Sequence, residues 1–405
     1  MLTIEPARRL RAGCGKVAIA LAGGGPLGAF YELGALHALG EVIVGRELTD
    51  FDMYVGVSSG SVVAAGLANG IDTTSMGSIF IHDSSTMLPF TPEMLMHPAI
   101  GEYGRRLARL PGALVEIGRL FVRDPLHGVW PTVVRSLGRV VPTALFDNGP
   151  LERYLHALFT GNGRTDDFRK LRADLMLVAT NLNTGASVAF GAAHLDRVPI
   201  SRAVAASAAL PGLYAPIQID AQHYVDGALI RTMHASLALE AGCELVICIN
   251  PLVPFDASFA PVRRRANLAD AGLPDILGQT FRALIHSRMQ VGMASYGARF
   301  PKADTLLLEP DRGDERLFFA NVFRYSGRQS LVDHAYQRTR RDLLAQADAL
   351  GPVLARHGLA LDVKRLRERH RTFSTAAKER TANSRQVAQR LGRALGRLER
   401  ALSIQ

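Results

Sequence analysis

A mainly parallel α/β sheet covered by helices is the fold this sequence predicts, and two patterns carry that expectation. A strand, a glycine loop and a helix follow one another twice near the N-terminus, and strand and helix patterns then alternate as far as about residue 350. The composition agrees. Hydrophobic residues make up 48% and charged residues 21% of the 405, ordinary globular usage that excludes wholesale disorder, collagen-like repeats and a disulfide scaffold.

Lys16 to Ala22 is a short apolar run that ends in glycines, and Leu27 to Leu39 then carries apolar residues at helical spacing. Phe51 to Val57 reads as the second strand and Gly60 to Ala68 as the second helix, with Gly56-Val57-Ser58-Ser59-Gly60 between them. From about Thr73 to Pro150 the pattern changes to Met87, Met94, Met96, several prolines and helical pieces at Tyr103 to Leu110 and Leu114 to Val122. This is a helical insertion. With Leu88, Phe90, Leu95 and Ile100, its methionines suit either an acyl pocket or lid, or ordinary helix packing, and packing is the favoured reading.

Leu175 to Asn181 and Ala186 to Phe190 read as strands joined by a turn at Asn183-Thr184-Gly185. Arg202 to Ala209 is a short helix stopped by Pro211. Gln218 to Val225, Leu245 to Asn250 and Asp304 to Glu309 complete the strands, with a helix at Met233 to Ala241 and a long one at Gln329 to Leu350. The expected organisation is an N-terminal arm over 1–15, a catalytic domain over 16–350 and a basic helical tail over 351–405.

Three cysteines, Cys14, Cys243 and Cys248, are too scattered for a disulfide framework, and no Cys/His spacing matches a zinc site. No run approaches the roughly 18 apolar residues of a spanning helix. Arg8, Arg9, Arg11 and Lys16 precede an Ala20-Leu21-Ala22 that imitates a signal-peptidase site, but the apolar run is short and flows into Gly23, so a buried first strand is the better reading. A cytoplasmic protein, peripheral on the membrane, is expected. The net charge of +10 is concentrated near the C-terminus, because Leu361 to Gln405 holds 12 basic and 4 acidic residues. There Val387, Leu391, Leu395, Leu398 and Leu402 share one helical face and Arg390, Arg393, Arg397 and Arg400 the other. A basic amphipathic helix of this kind fits contact with an anionic membrane, packing or self-association; no reader motif supports nucleic acid.

Three motifs carry chemistry. Gly23-Gly24-Gly25-Pro26-Leu27-Gly28 lies between strand and helix, where backbone amides converge on an anion; it also matches the dinucleotide fingerprint. A dinucleotide site wants an acidic residue at the end of the second strand, whereas Asp52 sits at its start. Gly56-Val57-Ser58-Ser59-Gly60 matches a nucleophile elbow, in which Gly56 and Gly60 tolerate a strained turn that pushes the Ser58 hydroxyl above the sheet; a plain tight turn is the alternative. His223 and His234 are the histidines nearest the acidic turn Asp226-Gly227-Ala228, but a buried carboxylate can deprotonate serine without them.

Taken in order, the glycine loop, the elbow, Ala206-Ser207 with Pro211 and Pro216, and Asp226-Gly227-Ala228 resemble the patatin-like phospholipase family over roughly Lys16 to Leu350. The resemblance implies a three-layer α/β/α fold and a lipid acyl ester hydrolase of phospholipase A or lysophospholipase type. Its nucleophile would be Ser58 and its base Asp226, with an oxyanion hole from the loop glycines Gly23, Gly24, Gly25 and Gly28 and an acyl-enzyme intermediate. It implies no metal and no cofactor. Leu27 departs from the family, many of whose members carry Arg or Lys there. The rival expectations are a non-catalytic lipid-binding or regulatory protein on the same fold and, more distantly, a dinucleotide-binding oxidoreductase.

Overall fold

The computed structural model describes residues 1–8, 15–81, 90–123, 140–259, 268–320, 327–380 and 382. Among these, nine strands build the main sheet: β1 (Leu2–Glu5), β2 (Lys16–Leu21), β3 (Met53–Val57), β4 (Asp174–Asn181), β5 (Ser187–Phe190), β6 (Ile217–Ile219), β7 (Gln222–Asp226), β8 (Cys243–Ile249) and β9 (Asp304–Leu308). Their order is β1-β9-β8-β2-β3-β4-β7-β6, with β5 also paired to β4. The five central strands from β9 to β4 run parallel, and β1, β5, β6 and β7 join antiparallel at the margins.

The parallel core is buried on both faces, as its near-continuous apolar strands require. Val17, Ile19 and Leu21 of β2 face one layer, which holds α1 (Gly25–Val42), α2 (Ser59–Ala68) and α6 (Arg328–Ala345). Ala18, Ala20 and Ala22 face the other, which holds α4 (Ala235–Glu240) and α5 (Leu273–Arg299). The two-residue period of the strand thus separates two hydrophobic clusters and produces the three-layer α/β/α architecture. A short helix, α3 (Ile200–Ser207), packs on the first layer.

Several segments depart from the sequence reading. Gln218 to Val225 is not one strand: Asp220, at φ +53°, turns the chain so that β6 and β7 form a hairpin with Ile219 opposite Gln222. Gln329 to Leu350 is not one helix either, because Gln346 leaves helical dihedrals and a second helix starts at Ala347. The helix at Met233 to Ala241 shortens to α4. The insertion provides helices Ile100–Leu107 and Leu110–Arg123, and α5, at 27 residues, has no counterpart in the sequence reading. Part of the N-terminal arm is the edge strand β1, which pairs with β9.

The C-terminal stretch is integrated with the body as far as it is described. Phe373 is fully buried, with its ring 4.6 Å from that of His37, and its amide donates to Asp333 Oδ1 at 2.8 Å. Arg340, itself buried, pairs with Glu41 and donates to the carbonyls of Arg365, Leu366 and Glu368. The leucine and arginine stripes at 387–402 lie outside the described residues, as do Cys14, Met87 and Leu88. Cys243 and Cys248 are buried free thiols, and burial raises both pKa values, Cys243 to about 11.

Candidate active site

Both glycine motifs lie where parallel strands end, so the loops after β2 and β3 share the carboxyl-end margin of the sheet, the place where open α/β sheets bind ligands. Ser58 follows β3 and caps α2 with φ +52° and ψ −122°, a backbone conformation rarely adopted by a non-glycine residue. What holds it there is visible. The Ser58 amide donates to Ser207 Oγ at 2.8 Å, and Ser207 Oγ donates to the Val178 carbonyl of β4 at 2.6 Å. Ser61 Oγ and the Ser61 amide both donate to the Ser58 carbonyl.

Glycines let the surrounding backbone close in. A Cβ on Gly60 would lie 2.7 Å from the carbonyl oxygens of Leu21 and Ala22, and one on Gly56 would lie 2.6 Å from Ser61 Cα. On Gly23 it would meet Ser58 Cβ and Ala228 Cβ, each at 3.0 Å. Gly227 is equally constrained, with the Val178 carbonyl 2.2 Å from any Cβ.

Asp226 ends β7, and the antiparallel pairing of β7 with β4 carries it across to Ser58. Ser58 Oγ donates to Asp226 Oδ2 at 2.5 Å, while Asp226 Oδ1 accepts from the Ala228 amide at 2.8 Å. The Asp226 amide donates to the Ala209 carbonyl, and its own carbonyl accepts from Thr180 Oγ1. Burial pushes the carboxyl up to about 6, against the two donated hydrogen bonds that pull it down. A carboxylate so held is a stronger base than an exposed one and is still ionised at neutral pH.

The glycine loop divides its work. The Gly23 amide donates to the Thr232 carbonyl at 3.1 Å and the Gly28 amide to the Gly24 carbonyl at 3.0 Å, so neither is available to an oxyanion. The four-glycine expectation therefore narrows to Gly24 and Gly25, whose amides have no hydrogen-bond partner among the described residues, beside a proline that has no N–H. Gly25, at φ +61°, takes the left-handed conformation that turns the chain into α1. The N-termini of α1 and α2 both meet the site, adding their dipoles to those amides.

A cavity of about 540 Å³ opens onto this constellation. Its walls are apolar, and the insertion contributes Phe90, Leu95, Met96 and Phe146; Phe90 and Leu95 also pack with the main hydrophobic core. Ile100, by contrast, is exposed. Sequence reasoning missed three polar members of the lining: Ser59 and Asn148, whose Oγ and Oδ1 are buried without partners, and Arg282 of α5. No motif contains Arg282 or Asn148, so nothing local along the chain marks either of them.

The other expected residues fall elsewhere. Neither His223 nor His234 lines the cavity, and burial lowers the His234 pKa to about 4. Asp52 accepts from the Val17 amide and pairs with Arg46 at the opposite end of β3 from Ser58, leaving no carboxylate to hold a ribose. Asn181 Oδ1 accepts the amides of Asn183 and Thr184, which makes the Asn-x-Asn-Thr-Gly segment a turn. Among the described residues no helix is long and apolar enough to cross a membrane, and no group of three or more His, Cys, Asp or Glu side chains is placed to hold a metal ion.

A parallel sheet flanked by two helical layers, with a strained serine above it and an apolar cavity beside it, defines a class, the patatin fold. The family model for patatin-like phospholipase matches residues 19–239, more than half of the chain, and the chain belongs to that family and so to the lipid hydrolases. Among solved structures it is similar to VipD from Legionella pneumophila, at 15% identity and a TM-score of 0.35, with 88% of this chain and 82% of that one covered. It is also similar to the type III effector protein ExoU, at 14% identity and a TM-score of 0.31, covering 93% and 63%. A third likeness is to the complex of SpcU with ExoU from Pseudomonas aeruginosa, at 16% identity and a TM-score of 0.26, covering 86% and 68%.

Proposed function

We propose that the chain hydrolyses a carboxylic ester of a lipid, as a phospholipase A or lysophospholipase, with Ser58 as nucleophile and Asp226 as its base. The observation that carries the reading is the Ser58 Oγ to Asp226 Oδ2 hydrogen bond, buried at the end of an apolar cavity. Asp226 takes the Ser58 proton as Oγ attacks the ester carbonyl, and the carbonyl oxygen becomes an oxyanion against the amides of Gly24 and Gly25. Each such donor is worth about 3 kcal/mol of transition-state stabilisation. Collapse of the tetrahedral intermediate expels the alcohol, which leaves with the proton held by Asp226, and the acyl group stays on Ser58 with its chain in the cavity. Water, deprotonated by the same carboxylate, then attacks the acyl-enzyme and releases the fatty acid. The apolar walls favour the acyl chain by burial.

A non-catalytic lipid-binding role has less support, because Leu27, the residue that would mark it, is buried and does not line the cavity. A fluorophosphonate probe tests the choice. Labelling of the native protein that disappears in Ser58→Ala, together with release of fatty acid from phospholipid, is expected. An unlabelled native protein, or labelling abolished by His223→Ala or His234→Ala and retained in Asp226→Asn, would overturn the assignment.

A further inference from the structure

We propose that the outward face of α5 is the surface by which this protein docks on an anionic lipid surface, so that the cavity opens against its substrate. The substrate side of this inference rests on the hydrolase reading above. The docking side rests on the helix itself. On a 100° wheel Met289, Met293 and Tyr296, all buried, cluster on the inner side and pack against the sheet. A solvent-facing helix in a water-soluble assembly would be polar on its other side. Instead Leu273, Ile276, Leu277, Leu284 and Val291 lie opposite, and all are exposed, Val291 at 72% and Leu273 at 67%. Among the described residues the helix is therefore apolar on both faces, with one of them left exposed.

The exposed stripe is continuous with the cavity mouth. Phe281 belongs to both, being half exposed and also a lining residue, and Gly278 and Ile285 on the same turns line the cavity too. Arg288 ties the helix to the dyad turn by donating to the Leu229 carbonyl at 3.4 Å, three residues beyond Asp226. Leu229 and Leu210, both exposed lining residues, extend the apolar rim on the far side of the opening. The charges choose among occupants. The helix carries Arg282, Arg288 and Arg299 against a single acid, Asp275; Arg299 pairs with Glu240 and Arg282 lies over the Phe318 ring, while the exposed Arg288 flanks the leucine stripe. Apolar side chains that enter the acyl boundary beside cations at headgroup level are the pattern of an interfacial helix on anionic lipid. A second copy of this chain, itself positively charged, is a poorer match.

The test uses the full-length protein carrying Ser58→Ala, so that binding is read without turnover, and vesicles of phosphatidylglycerol and phosphatidylcholine. Flotation should carry this protein with the vesicles. Adding Leu277→Glu, Leu284→Glu and Val291→Glu should cut the bound fraction at least tenfold while the melting temperature holds, since none of the three lines the cavity. In the protein with Ser58 intact, the triple change should leave turnover of a short soluble ester within twofold and lower vesicle lipid hydrolysis at least tenfold. Undiminished vesicle binding by the triple variant overturns the proposal. So does a triple variant whose only change is conversion of a dimer to a monomer in sedimentation, or vesicle binding that is lost outright when residues 383–405 are removed and untouched by the triple change, which would make the tail the docking element. Failure to hydrolyse any ester would defeat the hydrolase reading and leave the flotation result to stand by itself.

Discussion

Replacing Asp226 by Asn should abolish turnover and at the same time stabilise the protein at alkaline pH. The carboxyl titrates near 6 in the folded protein and ordinarily near 3.8. Both states are protonated well below pH 3.8, so there the group makes no difference to stability. As the pH rises from about 4 to 6 the unfolded chain releases its proton while the native state keeps it, and native stability falls. Above pH 6 the loss is complete, at about 3 kcal/mol for this separation of pKa values. The amide introduced by Asp226→Asn would resemble the protonated acid: its oxygen can still accept from the Ala228 amide and its NH₂ can donate to Ser58 Oγ. The variant should therefore exceed the native protein in stability by about 2 to 3 kcal/mol at pH 8 and by nearly nothing at pH 4. In urea, at a slope of about 3 kcal/mol/M, that is a midpoint about 1 M higher. Equilibrium denaturation at pH 4, 6 and 8, read by circular dichroism, measures it. In the native protein kcat/KM should fall about tenfold per pH unit below about 6, where the base is protonated. A variant no more stable than the native protein at pH 8, or one that retains more than about 1% of its activity, would refute the placement of an ionised, desolvated base at Asp226.

Gly23→Ala should lower kcat at least tenfold with only a few degrees lost in melting temperature, because its Cβ would press on Ser58 Cβ at 3.0 Å and displacement of the nucleophile by a fraction of an ångström is costly to rate; unchanged kcat would show that the loop can yield. Ser207→Ala leaves the Ser58 amide and the Val178 carbonyl without their shared partner, so about 2 to 3 kcal/mol of stability and most of kcat, rather than KM, should go. Ending the chain before Asp362 should yield insoluble or unfolded protein, because it removes Phe373 from its site against His37, and loss of a buried phenylalanine alone costs about 3 to 5 kcal/mol. Deleting only 383–405 should spare short-ester turnover, and both truncations are checked by soluble yield and thermal denaturation.

The order of motifs along the chain was enough to read the alternating architecture and the family, because each motif alone has other uses but the four in sequence share few, and each carries its own backbone logic. Ser58 was legible as an elbow from five consecutive residues, and Asp226 from a strand end followed by Gly-Ala. Local sequence does not carry information about which donors are already spent. Gly23, Gly24, Gly25 and Gly28 look alike in the sequence, and only the Thr232 carbonyl, which comes from a distant part of the chain, separates the first from its neighbours. The same holds for the hairpin at Asp220, where one residue in a left-handed conformation splits what periodicity joins. Burial faces are a tertiary property in the same sense. The stretch 361–380 reads as a basic tail by charge, yet Arg340 and Glu41, brought from two distant helices, draw its backbone and arginines onto the body. In α5 the amphipathic signal is weak, because the helix is apolar on two sides. By itself the sequence marked most of the strands, the two glycine loops, and Ser58 and Asp226 as the candidate pair, since those signals depend on neighbours along the chain. Only the tertiary structure decided the cavity, the free amides and the raised pKa of Asp226, since each depends on which distant groups displace water from the same few ångströms.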